Sequence, residues 1–369
     1  MPFCTRLLTS ICGAGDAAVT GVTLRLDGPR WREHLRTVAG AAPGLVPVIK
    51  GNGYGYGLRR LAQESAQLGA DTIAVGTAQE VSAVREEFPG DIVILHPWEA
   101  SSDVARKLAG DDRVITTVSR ADDLAWIAEL NSRPRVLIEV LTSMQRHGLR
   151  PDDLDRVTPL LDRLHFAGWT IHLPLLAERR YAEAERLARA ALDVARGPLW
   201  FSHLPPEETT ALARQLGGAA GEPVPVRLRM GTRLWLGDKS TRETLATVLD
   251  VHPIRRGERA GYRQRVCPAD GWIVVIAGGT SHGIGMEAPT SATTLRQRAI
   301  AMATGSLEAA GLALSPYTIN GKKRWFLEPP HMLSSLIFLP RKEKPPSIGD
   351  EVPVELRLTT ATVDDIITS

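Results

Sequence analysis

The stretch Val48-Ile49-Lys50-Gly51-Asn52-Gly53-Tyr54-Gly55-Tyr56-Gly57 joins an apolar run, Val46–Ile49, to a loop with four glycines and two tyrosines. A lysine desolvated at a strand end can lose its proton near neutral pH and bond covalently to an aldehyde. The glycines would let backbone N–H groups approach a bound phosphate closely, and Tyr54 can donate its hydroxyl to the same group. The alternative is a strand followed by a flexible glycine turn with a solvated lysine.

Outward from this loop, short runs rich in β-branched residues alternate with segments of helical periodicity as far as about Gly231. The strand-like runs are Val46–Lys50, Thr72–Val75, Ile92–Leu95, Val114–Val118, Val136–Leu141, Phe166–Leu173, Leu199–His203 and Val224–Arg229. Helical periodicity separates them at Leu58–Leu68, Ala78–Glu87, Ala121–Leu130 and Arg180–Ala195. Such alternation predicts parallel strands with crossover helices, and eight strands predict an α/β fold of the TIM-like (β/α)8 barrel type. An open doubly wound sheet is the alternative.

The pattern changes after Gly237, where short apolar runs are separated by Gly, Pro and charged turns. These runs are Trp272–Ala277, Arg324–Leu327, Ser335–Leu339 and Val352–Leu358. They predict a smaller, mainly β C-terminal domain, interrupted by a helix from about Ser291 to Ala310. We therefore expect an N-terminal tail over residues 1–20, a barrel domain over 21–237 and a mainly β domain over 238–369.

The composition is typical of a globular protein, with 43% hydrophobic residues, 23% charged residues and a net charge of +2 over 369 residues. This balance gives no reason to expect nucleic-acid binding, which concentrates basic residues on one face. Three widely spread cysteines form neither a disulfide framework nor a metal-ligand cluster, so we expect a cytoplasmic protein without a metal site. No apolar run approaches the roughly 20 residues of a transmembrane helix, and we expect no membrane partner.

Polar residues stand at or just after the ends of the predicted strands, where the active sites of such barrels lie. They are Lys50, Glu139, Arg146, His172, Ser202, His203, Arg229, Gly231 and Thr232. Loops after the last two strands usually bind phosphate, so Ser202 and the Gly231–Thr232 backbone would form that part of the site. One polar residue at a strand end means little, but five strand ends that converge on one mouth predict a functional site.

These segments resemble bacterial alanine racemases, the fold-type III enzymes that depend on pyridoxal phosphate. The family motif Val-Val-Lys-Ala-Asn-Ala-Tyr-Gly-His-Gly is similar to residues 48–57. Further motifs resemble Thr142–Gly148 (Thr-Gly-Met-x-Arg-x-Gly), Ile171–Pro174 (Thr-His-Phe-Ala), Leu228–Gly237 (Val-Arg-x-Gly-x-x-x-Tyr-Gly) and Gly257–Arg263 (Gly-Glu-x-Val-Ser-Tyr-Gly). The resemblance extends from about Val22 to Val363.

The resemblance implies an amino-acid racemase, an isomerase that interconverts L- and D-amino acids with the cofactor pyridoxal 5'-phosphate. Lys50 would bind the cofactor covalently and act as one acid/base. Tyr262, from the neighbouring subunit of a head-to-tail homodimer, would be the second. Inversion of a stereocentre requires proton delivery to the face opposite the one that lost it, which two bases on two sides provide. The alternative for Tyr262 is a strand tyrosine with its hydroxyl in water.

The same resemblance implies roles for the remaining residues of the site. Arg229 would contact the pyridine nitrogen, where a permanent charge keeps that nitrogen unprotonated and weakens the electron sink. Arg146 would contact the cofactor phenolate or the substrate carboxylate, and Met332 would line the substrate pocket. The cofactor-binding set is completed by Tyr54, His172, Ser202, His203, Gly231 and Thr232. Alternatively, Arg229 is paired structurally with a carboxylate, and His172 is a hydrogen-bonded core residue.

The sequence departs from the family in the residues around the substrate. Leu141 replaces an aspartate, Gly279–Gly283 lacks a gate tyrosine and an aspartate, and His331-Met332-Leu333 replaces Cys-Met-Asp. The sequence therefore supports binding of the cofactor more strongly than it supports alanine as the substrate. The side chain of a wider or differently charged amino acid would face His282 and His331. In many members a carbamate-bearing lysine orients the arginine that matches Arg146. Glu139 stands at that lysine's position, and we expect its carboxylate to provide a similar charge.

Two other functions remain open at this point. One is a lyase of the same fold type, such as an aldolase for β-hydroxy D-amino acids, in which a metal lies near the site. The candidate ligands His282, His331 and Cys267 match no compact metal motif. The other is a non-catalytic cofactor carrier or an interaction protein that kept the fold. Retention of Tyr262 in a full second domain argues against a simple carrier.

Overall fold

A computed structural model of the chain describes residues 20–130, 132–175, 178–217, 222–286 and 313–369. These residues belong to two compact units. The barrel unit lies within Leu26–Arg242, Arg357–Thr362 and Thr368–Ser369, and the β unit lies within residues 20–25, Glu243–Leu356 and Val363–Ile367. The first 19 residues of the predicted tail and the predicted helix from Ser291 to Ala310 lie outside the described residues.

Parallel strands form the core of the barrel unit. The first strand of the chain, β1 (Val22–Leu26), belongs to the other sheet, and the next eight strands build the barrel. They are β2 Leu45–Pro47, β3 Thr72–Val75, β4 Asp91–Ile94, β5 Val114–Val118, β6 Arg135–Val140, β7 His165–His172, β8 Leu199–Ser202 and β9 Val226–Met230. Each of the eight predicted runs overlaps one of these strands.

Closure of the sheet distinguishes a barrel from an open doubly wound fold. The strand order is β2-β9-β8-β7-β6-β5-β4-β3. The outer strands β2 and β3 meet through a parallel bridge between Val48 and Ala74, and the Ile49 N–H donates to the Ala74 carbonyl at 2.8 Å. The predicted (β/α)8 barrel is therefore confirmed.

One apolar cluster connects the barrel strands to each other. Its buried members are Val46, Val48, Ala74, Val93, Ile115, Leu137 and Trp200. Because successive side chains of a strand point to opposite faces, Val46 and Val48 can both enter this cluster while Ile49 leaves it. The packing of these side chains holds the strands in one ring.

Eight α-helices alternate with strands in the described part of the barrel unit. They are α1 Gly28–Ala41, α2 Leu58–Gln67, α3 Val81–Val84, α4 Asp103–Leu108, α5 Ala121–Ala128, α6 Arg180–Val194, α7 Pro206–Gln215 and α8 Thr232–Leu236. In α6, the residues Ala184, Leu187, Ala188 and Ala191 are buried at the spacing of a single helix face. Between β6 and β7 the chain forms 3-10 turns over Pro151–Arg163, where Pro159 disfavours an α-helix. None of the described helices has the length and apolar character needed to cross a membrane.

The β unit contains the mainly β fold predicted for the C-terminal part of the chain. Its strands are β10 Arg242–Ile254, β11 Arg259–Ala260, β12 Arg265–Val266, β13 Gly271–Ala277, β14 Leu314–Ile319, β15 Lys322–Phe326, β16 Ser334–Pro340, β17 Glu351–Pro353 and β18 Asp365–Thr368. The main sheet has the order β14-β15-β16-β13-β10-β1-β18, with β17 also paired to β10. The strand predicted over Val352–Leu358 is shorter than expected, since β17 ends at Pro353.

Leu187 gives a direct test of how α6 is held on the barrel. Its side chain is fully buried, so Leu187→Ala should lower the free energy of unfolding by about 2–5 kcal/mol through lost burial and a residual cavity. Urea unfolding followed by tryptophan fluorescence would measure the change. Val104→Ala is the control, since Val104 is 42% exposed and should change stability by no more than about 0.5 kcal/mol. Equal stabilities of the two variants would contradict this packing.

Candidate active site

Strand register brings several predicted site residues to one rim of the barrel. His172 on β7 pairs with Ser202 on β8, and Ser202 pairs with Arg229 on β9. Arg229 in turn pairs with Val46 on β2, four residues before Lys50. Because parallel strands carry their carboxyl ends to the same rim, this register places the predicted lysine, arginine, serine and histidine at one mouth.

Arg229 is a buried charge that the chain leaves partly unsatisfied. The residue is 6% exposed, and its Nε and Nη2 atoms are buried without a hydrogen-bond partner. Burial lowers its pKa to about 10; the charge of Glu139 opposes this shift and that of Arg146 adds to it. The guanidinium therefore stays charged at neutral pH. Since an unsatisfied buried donor costs about 1–3 kcal/mol, these two atoms call for an acceptor from outside the described chain.

Lys50 has the altered acidity expected of a reactive amine. Partial burial lowers its pKa, and the nearby charges of Arg146 and Arg229 lower it further. Glu80 opposes this shift and also fixes the surrounding backbone. Its carboxylate accepts the Gly51 N–H at 3.0 Å and the Gly76 N–H at 2.7 Å. A larger fraction of Lys50 is therefore a free amine at neutral pH than for an ordinary exposed lysine.

The glycine loop after Lys50 is held by side chain to backbone hydrogen bonds. Asn52 accepts the Tyr54 N–H at 3.1 Å and donates to the carbonyls of Leu358 at 2.9 Å and Ala361 at 2.6 Å. These bonds give Asn52 a structural role in the loop. Trp235 adds a further tie, because its indole N–H donates to the Val48 carbonyl at 2.8 Å.

Tyr54 lies directly against the turn at Gly231 and Thr232. A Cβ atom added to Gly231 would lie 2.0 Å from the Tyr54 hydroxyl oxygen, so only glycine permits this approach. Burial raises the pKa of Tyr54 to about 12, and its hydroxyl remains a proton donor at neutral pH. The structure thus brings together three residues of the predicted phosphate site. Ser202, a fourth, is buried at the end of β8.

The two histidines of the rim lie beside each other. The rings of His172 and His203 have centroids 5.0 Å apart. Burial lowers the pKa of His172 to about 2, and the charges of Arg229 and Arg146 contribute in the same direction. Burial also lowers the pKa of His203, whose Nδ1–H donates to the Leu173 carbonyl at 2.8 Å. Both rings are therefore neutral partners in a basic site.

Glu139 and Arg146 have a different arrangement from the one expected. Glu139 is 5% exposed and accepts a hydrogen bond from the Ser119 hydroxyl at 2.6 Å. Among the described residues it forms no ion pair with Arg146, and its charge instead raises the pKa of Arg229. The side chain of Arg146 is exposed and lines a cavity of about 290 Å³ with Ser119 and Leu141. Glu139 is thus a countercharge for the buried arginine.

Tyr262 and Met332 lie in the β unit, whose site residues are described by themselves. Tyr262 is 85% exposed, and its ring packs on His331 with centroids 4.4 Å apart. Its backbone N–H donates to Glu328 at 3.0 Å. Met332 is 70% exposed, and its carbonyl accepts the Ser281 N–H at 3.0 Å. Two exposed side chains on a fixed backbone are available to a ligand or a partner.

His282 and Cys267 have structural partners. His282 is 5% exposed; its Nδ1 accepts the Gly279 N–H at 3.2 Å, and its Nε2 lies 3.1 Å from Asp364. The Cys267 thiol donates to the Ala269 carbonyl at 3.3 Å. Within the described ranges, no group of three or more His, Cys, Asp or Glu residues could hold a metal ion. The buried, paired His282 ring is unsuited to contacting a substrate side chain.

Sequence reasoning missed three carboxylate or hydroxyl groups that support the predicted residues. Ser119 directly follows β5, so the search for polar residues at strand ends should have found it. Glu80 bonds to Gly51, 29 positions away, and Glu328 bonds to backbone groups 65 and 66 positions away. The sequence carries no local signal for partners so distant.

Comparison with solved structures identifies the architecture as that of alanine racemases. The chain superimposes on the crystal structure of alanine racemase from Bartonella henselae with covalently bound pyridoxal phosphate. The TM-score is 0.68, with 93% of this chain and 94% of that chain covered at 17% identity. The alanine racemase from E. faecalis gives a TM-score of 0.65, with 91% and 88% covered at 18% identity. At these identities the likeness shows the fold.

Comparison of the sequence with known families and proteins also finds alanine racemases. Residues 27–209 match the family model for the alanine racemase N-terminal domain. The alanine racemase of Corynebacterium efficiens is 29% identical over 273 residues, which cover 68% of this chain and 71% of that protein. That of Nitratidesulfovibrio vulgaris is 26% identical over 289 residues, with 71% and 76% covered. The chain therefore contains an alanine racemase N-terminal domain and is a divergent relative of the alanine racemases.

The neutral state of His172 can be measured directly. With a pKa of about 2, its ring should show no change in C2–H chemical shift between about pH 5 and pH 8, the range in which an ordinary histidine titrates. Proton NMR of the wild type would record the nine histidine rings, and His172→Asn would assign the signal. Burial is the main cause of this low pKa. A His172 signal that titrates near neutral pH would therefore contradict the burial described.

Proposed function

We propose that this protein is an amino-acid racemase that uses pyridoxal 5'-phosphate. The observation that carries the proposal is the buried Arg229, with two unpaired donor atoms, on the same rim as a lysine of lowered pKa. The match to the alanine racemase N-terminal domain and the likeness to alanine racemases support the same activity. The pyridoxal phosphate bound covalently in the Bartonella henselae relative supports the same cofactor.

The residues of the barrel mouth fit the chemical groups of pyridoxal phosphate. The pyridine nitrogen is an acceptor, and the orphaned Nε and Nη2 atoms of Arg229 are donors. The aldehyde requires a free amine, which Lys50 provides. The phosphate requires donors that tolerate close approach. We assign these to the Tyr54 hydroxyl, the Ser202 hydroxyl and the backbone N–H groups of His203, Gly231 and Thr232.

In this proposal Lys50 and Tyr262 transfer the proton, and the other residues named here set the charge of the rim. When bound, pyridoxal phosphate supplies an electron sink for the electrons left on the substrate α-carbon. Lys50 removes or returns the α-proton at its Nζ atom on one face, and Tyr262 does so at its hydroxyl oxygen on the other. Neutral His172 and His203 add no further charge to the rim. Glu139 balances part of the charge of Arg229.

Substrate binding and assembly complete the proposal. The fork of Arg146, exposed beside its cavity, suits the substrate carboxylate. The high exposure of Tyr262 and Met332 fits residues that a second copy of the chain covers, so we propose a head-to-tail homodimer in which Tyr262 acts on the partner's barrel. Met332 would line the substrate pocket. Substitutions near the substrate indicate an amino acid other than alanine as a candidate substrate.

Loss of Lys50 should abolish cofactor attachment. Wild-type protein mixed with pyridoxal phosphate should become yellow, and borohydride followed by peptide mass spectrometry should locate a pyridoxyl group on Lys50. Lys50→Ala should stay colourless with its fold intact, because the amine that bonds to the aldehyde is absent. Lys107→Ala is the matched control, since Lys107 is an exposed lysine of α4 and should leave the colour unchanged. A wild type that remains colourless, or a label on another lysine, would refute this assignment.

A panel of single amino acids in deuterated water tests the reaction itself. We expect loss of the α-proton signal by NMR together with inversion, measured by chiral chromatography, for at least one amino acid. Tyr262→Phe should retain the cofactor and lose inversion by about 10²-fold or more, because a group that transfers the proton on one face is absent. Formation of glycine and an aldehyde would instead show an aldolase. No exchange with any amino acid would exclude both activities.

A further inference from the structure

Glu328 holds the backbone of the loop that carries Tyr262. Its side chain is 2% exposed, and its two oxygens accept the N–H groups of Tyr262 and Arg263, each at 3.0 Å. Gly261 permits this close approach. Its φ is +74°, and a Cβ atom there would lie 2.1 Å from the Glu328 carboxyl group. The loop at 261–263 is therefore shaped around one buried carboxylate.

The same carboxylate orients the ring that packs on Tyr262. The His331 Nε2 atom lies 2.5 Å from the Glu328 oxygen that also accepts the Tyr262 N–H. The His331 ring packs on the Tyr262 ring with centroids 4.4 Å apart and an interplanar angle of 44°. The His331 backbone is fixed as well, because its N–H donates to the Ser334 carbonyl and its carbonyl accepts the Thr280 N–H, both at 2.9 Å.

This cluster holds the backbone of Tyr262 and packs against its ring. Burial alone would raise the pKa of Glu328, but the N–H groups of Arg263 and Tyr262 and the His331 ring together lower it. Glu328 is therefore ionised at neutral pH and accepts all three bonds. A tyrosine that is 85% exposed would otherwise sample several rotamers, and holding it in one costs conformational entropy. Here a buried carboxylate fixes its backbone and an aromatic neighbour contacts its ring, and both arrangements favour a single rotamer.

We infer that Glu328 and His331 are positioning residues for Tyr262, which set the direction of its hydroxyl for proton transfer. The inference rests on the proposed racemase function. Glu328 belongs to none of the motifs that carry the family resemblance, and His331 stands where the family has cysteine.

Displacement of the Tyr262 hydroxyl should slow the reaction of one enantiomer and not of the other. Tyr262 serves one face of the substrate and Lys50 the other, so a displaced phenol slows proton removal from one enantiomer only. Misplacement of a reacting group by about 1 Å can cost on the order of 10²-fold in rate. The enantiomer that Lys50 deprotonates should still exchange its α-proton with solvent. A general loss of stability would instead slow the reactions of both enantiomers.

The experiment uses the full-length protein loaded with pyridoxal phosphate. The α-proton exchange rates of the L- and D-forms of the most reactive amino acid in the panel are measured separately in deuterated water. Tyr262→Phe defines the enantiomer on the tyrosine side. Glu328→Gln removes the charge and leaves one N–H facing an amide NH₂, and His331→Phe keeps an aromatic ring on Tyr262 but removes its bond to Glu328. Glu343→Gln is the control, because Glu343 is paired with Arg324 elsewhere in the β unit.

We expect Glu328→Gln and His331→Phe to slow exchange on the tyrosine side by about 10- to 10²-fold and to leave the lysine side within about twofold of wild type. Glu343→Gln should leave both sides unchanged. Equal slowing of both enantiomers, or no slowing of either, would overturn the inference. A wild type without exchange would instead overturn the proposed function, on which the inference rests.

Amide hydrogen exchange provides a second readout that does not depend on activity. Glu328→Gln should speed exchange at the amides of Tyr262 and Arg263, which lose their carboxylate acceptor, while amides of the barrel unit keep their protection. Unchanged protection at these two amides would also overturn the inference. If Glu328→Gln fails to fold, His331→Phe decides the matter by its rates, because it leaves both backbone bonds in place.

Discussion

The burial of the Arg229 charge is the constraint on which the barrel mouth depends. Desolvation of this guanidinium favours contact with anions and acceptors, and among the described residues Glu139 compensates part of the charge. The same charge lowers the pKa of Lys50 and of His172. Burial, which is the main cause of both shifts, and this cation together favour a free amine at Lys50 and a neutral imidazole at His172, and they leave two Arg229 donor atoms without an acceptor. The chemical reactivity of this rim therefore depends on a buried guanidinium whose Nε and Nη2 atoms have no acceptor among the described residues.

The two units differ in whether the hydrogen-bond donors near their functional side chains have acceptors. In the barrel, donors are left without acceptors, which favours a bound group that provides them. In the β unit, the carboxylate of Glu328 satisfies neighbouring donors so that a single aromatic side chain stands exposed on a rigid support. The first arrangement suits tight retention of a cofactor. The second suits brief contact with a substrate that must enter and leave.

Much of this organisation could be predicted from the sequence, because each barrel strand forms from a short continuous run of β-branched and apolar residues. Each β-branched run forms its strand where the sequence indicates, and register alone then aligns His172, Ser202 and Arg229. The strand β1 was not predicted, since its partner β10 begins more than 200 residues later. The relation between Glu139 and Arg229 was also missed. It depends on which way two side chains turn across the barrel, and spacing along a strand does not contain that information.

The tether of the glycine loop has a consequence for dissecting the protein into parts. Asn52 donates to the carbonyls of Leu358 and Ala361, and both of these residues belong to the barrel unit although they follow Glu243–Leu356 of the β unit in the chain. A fragment that ends at Arg242 would contain every barrel strand and still lack these two acceptors. In such a fragment the lysine loop would keep its bonds to Glu80 and Trp235 but lose those from Asn52 to Leu358 and Ala361, so the last dozen residues would have to be supplied as a separate peptide.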